Sequence, residues 1–185
     1  MNKNKKEAIN LTTILGKLSA IMMAVLVLSG CATFLSNSGP ELDKQRPIYI
    51  MPLSNQSNMP MAQAQAEQLL ASVIAKEGLQ VSLYPKHQVN DLHANMEPEK
   101  RLKEAQQWLK QQPPGYVITG SVQEWQYKYG LDGEPAIGFS LILIDDSDKI
   151  LWRGTVSRSG WGRESLTQVA IEALDDILSE LNWND

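Results

Sequence analysis

Residues 138–144 read Gly-Phe-Ser-Leu-Ile-Leu-Ile, apolar at almost every position. A strand of that kind belongs in the middle of a sheet, with neighbours on either side and cover on its faces. Its flanks supply the neighbours. Tyr116–Tyr129 is a long mixed run, and Ile150–Arg158 alternates, with Ile150, Trp152 and Val156 on one face and Arg153, Thr155 and Ser157 on the other. Between Ile144 and Ile150 lies only the polar turn Asp145-Asp146-Ser147-Asp148-Lys149. So short a connection makes those two strands an antiparallel hairpin.

The rest of the chain fits around that sheet. Ile48–Leu53 is a short apolar strand whose Pro52 marks a sheet margin. Pro60–Glu77 has helical spacing, with Ala62, Ala66, Leu69, Leu70, Val73 and Ile74 on one face and Gly78 as its stop. Leu79–Tyr84 returns to strand character, so this strand, helix and strand form a parallel crossover. Glu97–Gln112 is a second helix with Leu102, Ala105 and Leu109 inward, ended by Pro113-Pro114. The last helix opens on Ser165-x-x-Gln168, a capping-box pattern, and carries Leu166, Val169, Ala170, Ala173, Leu174, Ile177 and Leu181 at helical spacing. The expected fold is α/β (α+β): a small mixed sheet of about five strands in the order β-α-β-α-β-β-β-α, with helices packed on it.

The N-terminal end is of another kind. Lys3, Lys5, Lys6 and Lys17 form a positive leader, Leu18–Leu28 is apolar without charge, and Leu28-Ser29-Gly30-Cys31 closes it. That is a secretory signal, too short to span a bilayer, and its end resembles a bacterial lipobox, in which the cysteine is acylated and becomes the first mature residue. Cys31 is the only cysteine of the 185 residues, so no internal disulfide staples the fold. Acyl chains on Cys31 would anchor the chain firmly to a membrane. Ala32, where inner-membrane retention favours Asp, points to the outer membrane. Residues 31–46 are polar, with a Gly-Pro pair and no periodicity, and read as a tether; 1–30 is then the signal and 47–185 a single periplasmic domain.

With the leader's four lysines and Glu7 set aside, 13 basic and 20 acidic side chains remain, a net charge of −7. Such a surface disfavours nucleic acid and suits a cationic partner, or simply keeps the domain soluble. Catalytic equipment is scarce. His87 and His93 are six apart with Asp91 between them, a spacing unlike a helical zinc pair, and they read as loop residues. No Gly-x-Ser-x-Gly elbow, phosphate loop or EF-hand is present, and the acidic turn at 145–148 reads as solvated. No catalytic residue, metal or cofactor is expected. Two stretches stand out. Trp125, Tyr127 and Tyr129 lead into a loop holding Asp132 and Glu134, as in a hairpin turn or a sugar-contacting surface. Trp161 lies between glycines before the last helix, where an exposed indole suits a membrane interface or an oligomer contact.

Val117-Ile-Thr-Gly-Ser-Val-Gln-Glu-Trp-Gln-Tyr, Gly130-Leu-Asp-Gly-Glu-Pro-Ala-Ile-Gly138, Leu151-Trp152 and Ser157-Arg-Ser-Gly-Trp-Gly162, taken in that order, resemble the PelC family of outer-membrane lipoproteins of Pel exopolysaccharide export. The resemblance is concentrated in residues 116–170 and supported by the lipobox. It implies a non-enzymatic, lipid-anchored protein on the periplasmic side of the outer membrane. It also implies a homo-oligomeric ring under a β-barrel export porin, gathering a cationic amino-sugar polymer. Trp161 would face lipid headgroups beside acylated Cys31, and Asp132 and Glu134 are the candidate polymer-contacting acids. Alternatives from other classes are a monomeric activator of a cell-wall synthase and a glycan hydrolase using Asp132 or Glu134.

Overall fold

The computed structural model describes residues 17, 32–36, 39–85, 98–129 and 133–184. It divides the chain into two units, Met1–Cys31 and Ala32–Asp185. Of the first unit only Lys17 is described, helical and exposed. The second unit holds β1 (Ala32–Ser36), β2 (Glu41–Asp43), β3 (Ile48–Asn55), α1 (Ala62–Lys76), β4 (Val81–Leu83), α2 (Pro98–Leu109), β5 (Tyr116–Tyr127), β6 (Pro135–Ile144), β7 (Ile150–Ser159), α3 (Leu166–Leu178) and β8 (Asn182–Asn184).

Six strands form one mixed sheet in the order β1-β7-β6-β5-β3-β4. The apolar run of β6 takes an interior place, with antiparallel neighbours on both sides. β3 pairs in parallel with β4, as the crossover through α1 requires, and in parallel with β5 on its other side. This is the small mixed sheet expected, with six strands, and a separate parallel pair, β2 with β8, accompanies it.

The stretch expected as a tether is corrected here: residues 32–43 contain two strands. β1 runs antiparallel to β7, from Ala32 opposite Arg158 to Ser36 opposite Gly154. The polar sequence hid this because an edge strand is held by backbone hydrogen bonds and needs no apolar period. Leu42 in β2 is buried, and its neighbour β8 brings Trp183 against Tyr116, ring centroids 6.3 Å apart.

One face of the sheet carries the main core. Ile48, Ile50, Ile118, Val122, Phe139, Leu141, Trp152 and Val156 meet Ala66, Leu70 and Ile74 of α1 and Val169, Ala173 and Ile177 of α3. The cap of α3 is as its sequence spells: the Ser165 hydroxyl accepts from the Gln168 N–H at 3.1 Å. Met51 and Val117 alternate with that core and meet α2, in a smaller cluster with Tyr84, Ala105, Trp108 and Leu109. Leu102, expected inward, is exposed. The inward stripe of α2 runs through half-buried Arg101, buried Ala105 and half-buried Trp108, so an arginine takes the position that a leucine one residue on would miss. Ile150 is also exposed, lying beyond a register shift between Leu143 and Ile144.

A bulge in β5 decides what lies at one end of the sheet. Val122 pairs with Phe139 and Glu124 with Gly138, leaving Gln123 as the extra residue. The shift brings Trp125 onto the core face, where it packs edge-on to Phe139 with centroids 6.2 Å apart.

Candidate functional site

β5 ends, β6 begins, β7 ends and β1 begins at the same end of the sheet. Tyr127 is opposite Pro135, Ala136 opposite Ser159, and Arg158 opposite Ala32. The strands are tied there. The Lys128 N–H donates to the Glu134 carbonyl at 2.7 Å, the Gly160 N–H to the Pro135 carbonyl at 2.9 Å, and the Lys128 ammonium to the Ser159 hydroxyl at 3.2 Å. Arg158 pins the end of β7 to α3, with 2.8 Å to Glu172 and 2.6 Å to Asp176.

Trp161 follows this clamp. Its backbone N–H donates to the Glu164 carboxylate at 2.5 Å, and its carbonyl accepts from the Glu164 N–H at 2.9 Å, so residues 161–164 close on themselves. A β-carbon on Gly160 would run into the Glu164 carboxylate, Val169 and Pro135. The backbone therefore lies tight against the body and the next side chain turns out. The Trp161 indole is 53% exposed.

The three aromatics before the loop do not act as a set. Trp125 is core, as the bulge dictates, while Tyr127 and Tyr129 are exposed. Glu134 is exposed at the same end as Trp161. Cys31, Asp132, His87, Asp91 and His93 lie outside the described residues. Among the described residues no three His, Cys, Asp or Glu side chains come together as a metal site. In the 145–149 turn, the Asp145 carboxylate accepts from the Ser147 hydroxyl, the Ser147 N–H and the Lys149 N–H at 2.6–3.0 Å. These bonds, the Ser147 hydroxyl first, hold its carboxyl below the usual range. The turn is an Asx-type structure.

One polar feature was missed from sequence. Glu67 is fully buried on α1. It accepts from the Leu53 N–H at 2.8 Å and from the Tyr84 hydroxyl at 3.3 Å, and it meets Arg101 at 3.4 Å. Arg101 also donates to the Leu53 carbonyl at 2.6 Å and lies over the Tyr84 ring. The knot joins β3, β4, α1 and α2. Burial, and then the Glu67 charge, push the Tyr84 hydroxyl above its ordinary pKa. A signal did exist, since Glu67 interrupts the apolar stripe between Gln63 and Leu70. An open cleft of about 450 Å³ lies between the C-terminal ends of α1 and α3, bridged by Lys76 and Asp175 at 3.0 Å.

No helix among the described residues is long and apolar enough to cross a membrane. The elements above define a small α+β domain with two helices on one face of a mixed sheet, one on the other, and exposed aromatics gathered at one end. No protein-family model and no curated protein sequence matches the chain. Solved structures do. The PelC dodecamer from Paraburkholderia phytofirmans is 30% identical over 83% of this chain and 100% of its own, with a TM-score of 0.68. A point variant of that dodecamer matches at the same identity and coverage with a TM-score of 0.70. The chain belongs to the PelC family.

Proposed function

We propose that this protein is an outer-membrane lipoprotein, acylated at Cys31, that forms a homo-oligomeric ring on the periplasmic side. The ring guides a cationic amino-sugar exopolysaccharide to a β-barrel export porin. The observation that carries this reading is the match along the whole length of PelC structures that are themselves dodecamers. Heterologous contacts repeated around one axis close into such rings.

The local geometry supports the same reading. Cys31 is one peptide bond from Ala32, and Ala32 is registered against Arg158, three residues before Trp161. The start of β1 and the exposed indole therefore lie at one end of the domain, which fits Trp161 as a headgroup-level anchor. Glu134 is at that end too, where a polymer would pass from ring to porin; Asp132, proposed with it from sequence, lies outside the described residues. The mature charge of −7 suits a cationic chain, and a ring multiplies the field. The ring performs no covalent chemistry and takes no cofactor; its work is collection and guidance.

The test is the assembly itself. The mature chain with Cys31 replaced, free and on lipid, should give multimers by light scattering and closed rings by negative-stain imaging. A strict monomer under every condition overturns the ring.

A further inference from the structure

We propose that Tyr127 and Tyr129 share with Trp161 a single lipid-contacting face, so that the domain dips three aromatics, not one, into the headgroup region of a phospholipid bilayer. The inference rests on the membrane-anchored reading above and extends it to the β5–β6 hairpin.

The β5 bulge turns the strand so that Trp125 joins the core on the side covered by α1 and α3. Alternate residues of a strand share a face, so Tyr127 continues that same face past the point where cover ends. Glu124 and Lys128, which approach each other at 4.0 Å, take the other side. Tyr129 then projects with 107% of reference exposure, the largest value among the exposed large hydrophobics. Trp161 belongs to the loop that leads into α3, the helix packed on that face of the sheet. The Gly160–Pro135 and Lys128–Ser159 hydrogen bonds tie together the strand ends from which the three rings project.

The occupant follows from the chemistry of the face. Tyr and Trp couple an apolar ring to a polar edge, which is the combination enriched at membrane–water interfaces. The surface projects rather than recedes, whereas a small-ligand site is concave with convergent polar groups. The Glu164 carboxylate is turned inward to the Trp161 N–H and is not aimed at a ligand. Arg163, exposed beside Trp161, supplies a cation for lipid phosphate. The backbone of Ala32 leaves the sheet at this end, so acyl chains on Cys31 would bring a bilayer to these rings first.

The test uses the mature chain with Cys31→Ser, so that acyl chains do not mask weaker contacts, and vesicles of phosphatidylethanolamine and phosphatidylglycerol. Vesicle-bound fraction is read by flotation, folding by thermal unfolding, and glycan binding by titration with a chitosan oligomer. Tyr127→Ser and Tyr129→Ser are expected to lower the bound fraction severalfold each, as Trp161→Ser does, with unchanged melting. If only Trp161→Ser weakens binding, the three-ring face is overturned while the membrane anchor stands. If no variant weakens it, or the chain with all three rings gives no binding at all, the three-ring face is overturned, while the acyl anchor at Cys31, absent from this variant, stands. Loss of chitosan binding with vesicle binding intact overturns the lipid face in favour of a glycan surface.

Discussion

Tyr84 shows how one buried hydroxyl ties a charge network to pH. Its O–H donates to Glu67, whose carboxylate has no exposure to water, and ionising Tyr84 would set a second negative charge against the first. The folded chain therefore holds that proton more tightly than the unfolded chain, where tyrosine titrates near 10. Above that pH the unfolded state binds fewer protons than the folded state, so stability is complete below about pH 10 and falls as pH rises beyond it. Urea unfolding of the chain should weaken steadily through that range. Tyr84→Phe should be less stable by about 1 kcal/mol at neutral pH, because Glu67 loses a donor, yet decline less steeply above pH 10. A weaker slope remains from Tyr49, whose hydroxyl is also raised by burial. Equal slopes in the two proteins would show that Tyr84 does not carry the alkaline transition.

At the scale of elements, the seat of α3 on β7 is set by a glycine. Gly154 faces α3 between Trp152 and Val156, and a β-carbon there would strike the Trp152 indole and come within 2.9 Å of Ile177 Cγ1. Gly154→Ala should cost about 1–3 kcal/mol by urea unfolding, the usual penalty of overpacking, and loosen the Arg158 ties to Glu172 and Asp176. Full stability in that variant would mean the helix can shift at no cost. This contact also marks the limit of what the chain's letters reveal. Helical spacing and the Ser165 cap made α3 legible, and the apolar density of β6 made its interior place legible, because both are local and periodic. β1, β2 and β8 were not, since short strands held through backbone bonds leave no side-chain period. Nor was the Gln123 bulge, which separates core Trp125 from exposed Tyr127. Exposure of Trp161 was legible from its flanking glycines; the inward Arg101 was not, because an arginine in a buried stripe is explained only by Glu67 on another helix.

For the whole molecule, charge makes a prediction that sequence and fold reach together. On the proposed function each mature subunit carries −7, so subunits in the proposed ring would repel one another while the ring would attract a cationic polymer. Salt weakens both effects, with opposite outcomes for assembly and for capture. Screening shortens the reach of exposed charges to about 10 Å at 0.1 M ionic strength, which relieves repulsion between neighbours and weakens capture of the polymer alike. Raising sodium chloride should increase the multimeric fraction seen by sedimentation and decrease binding of a labelled chitosan oligomer to rings already formed. Glu134→Gln should lower polymer binding at low salt and leave the sedimentation profile unchanged, because Glu134 is exposed at the end proposed for transfer to the porin. Binding that ignores salt would remove the acidic field from the mechanism, and a polymer then held by shape or stacking would have to find its site on another surface.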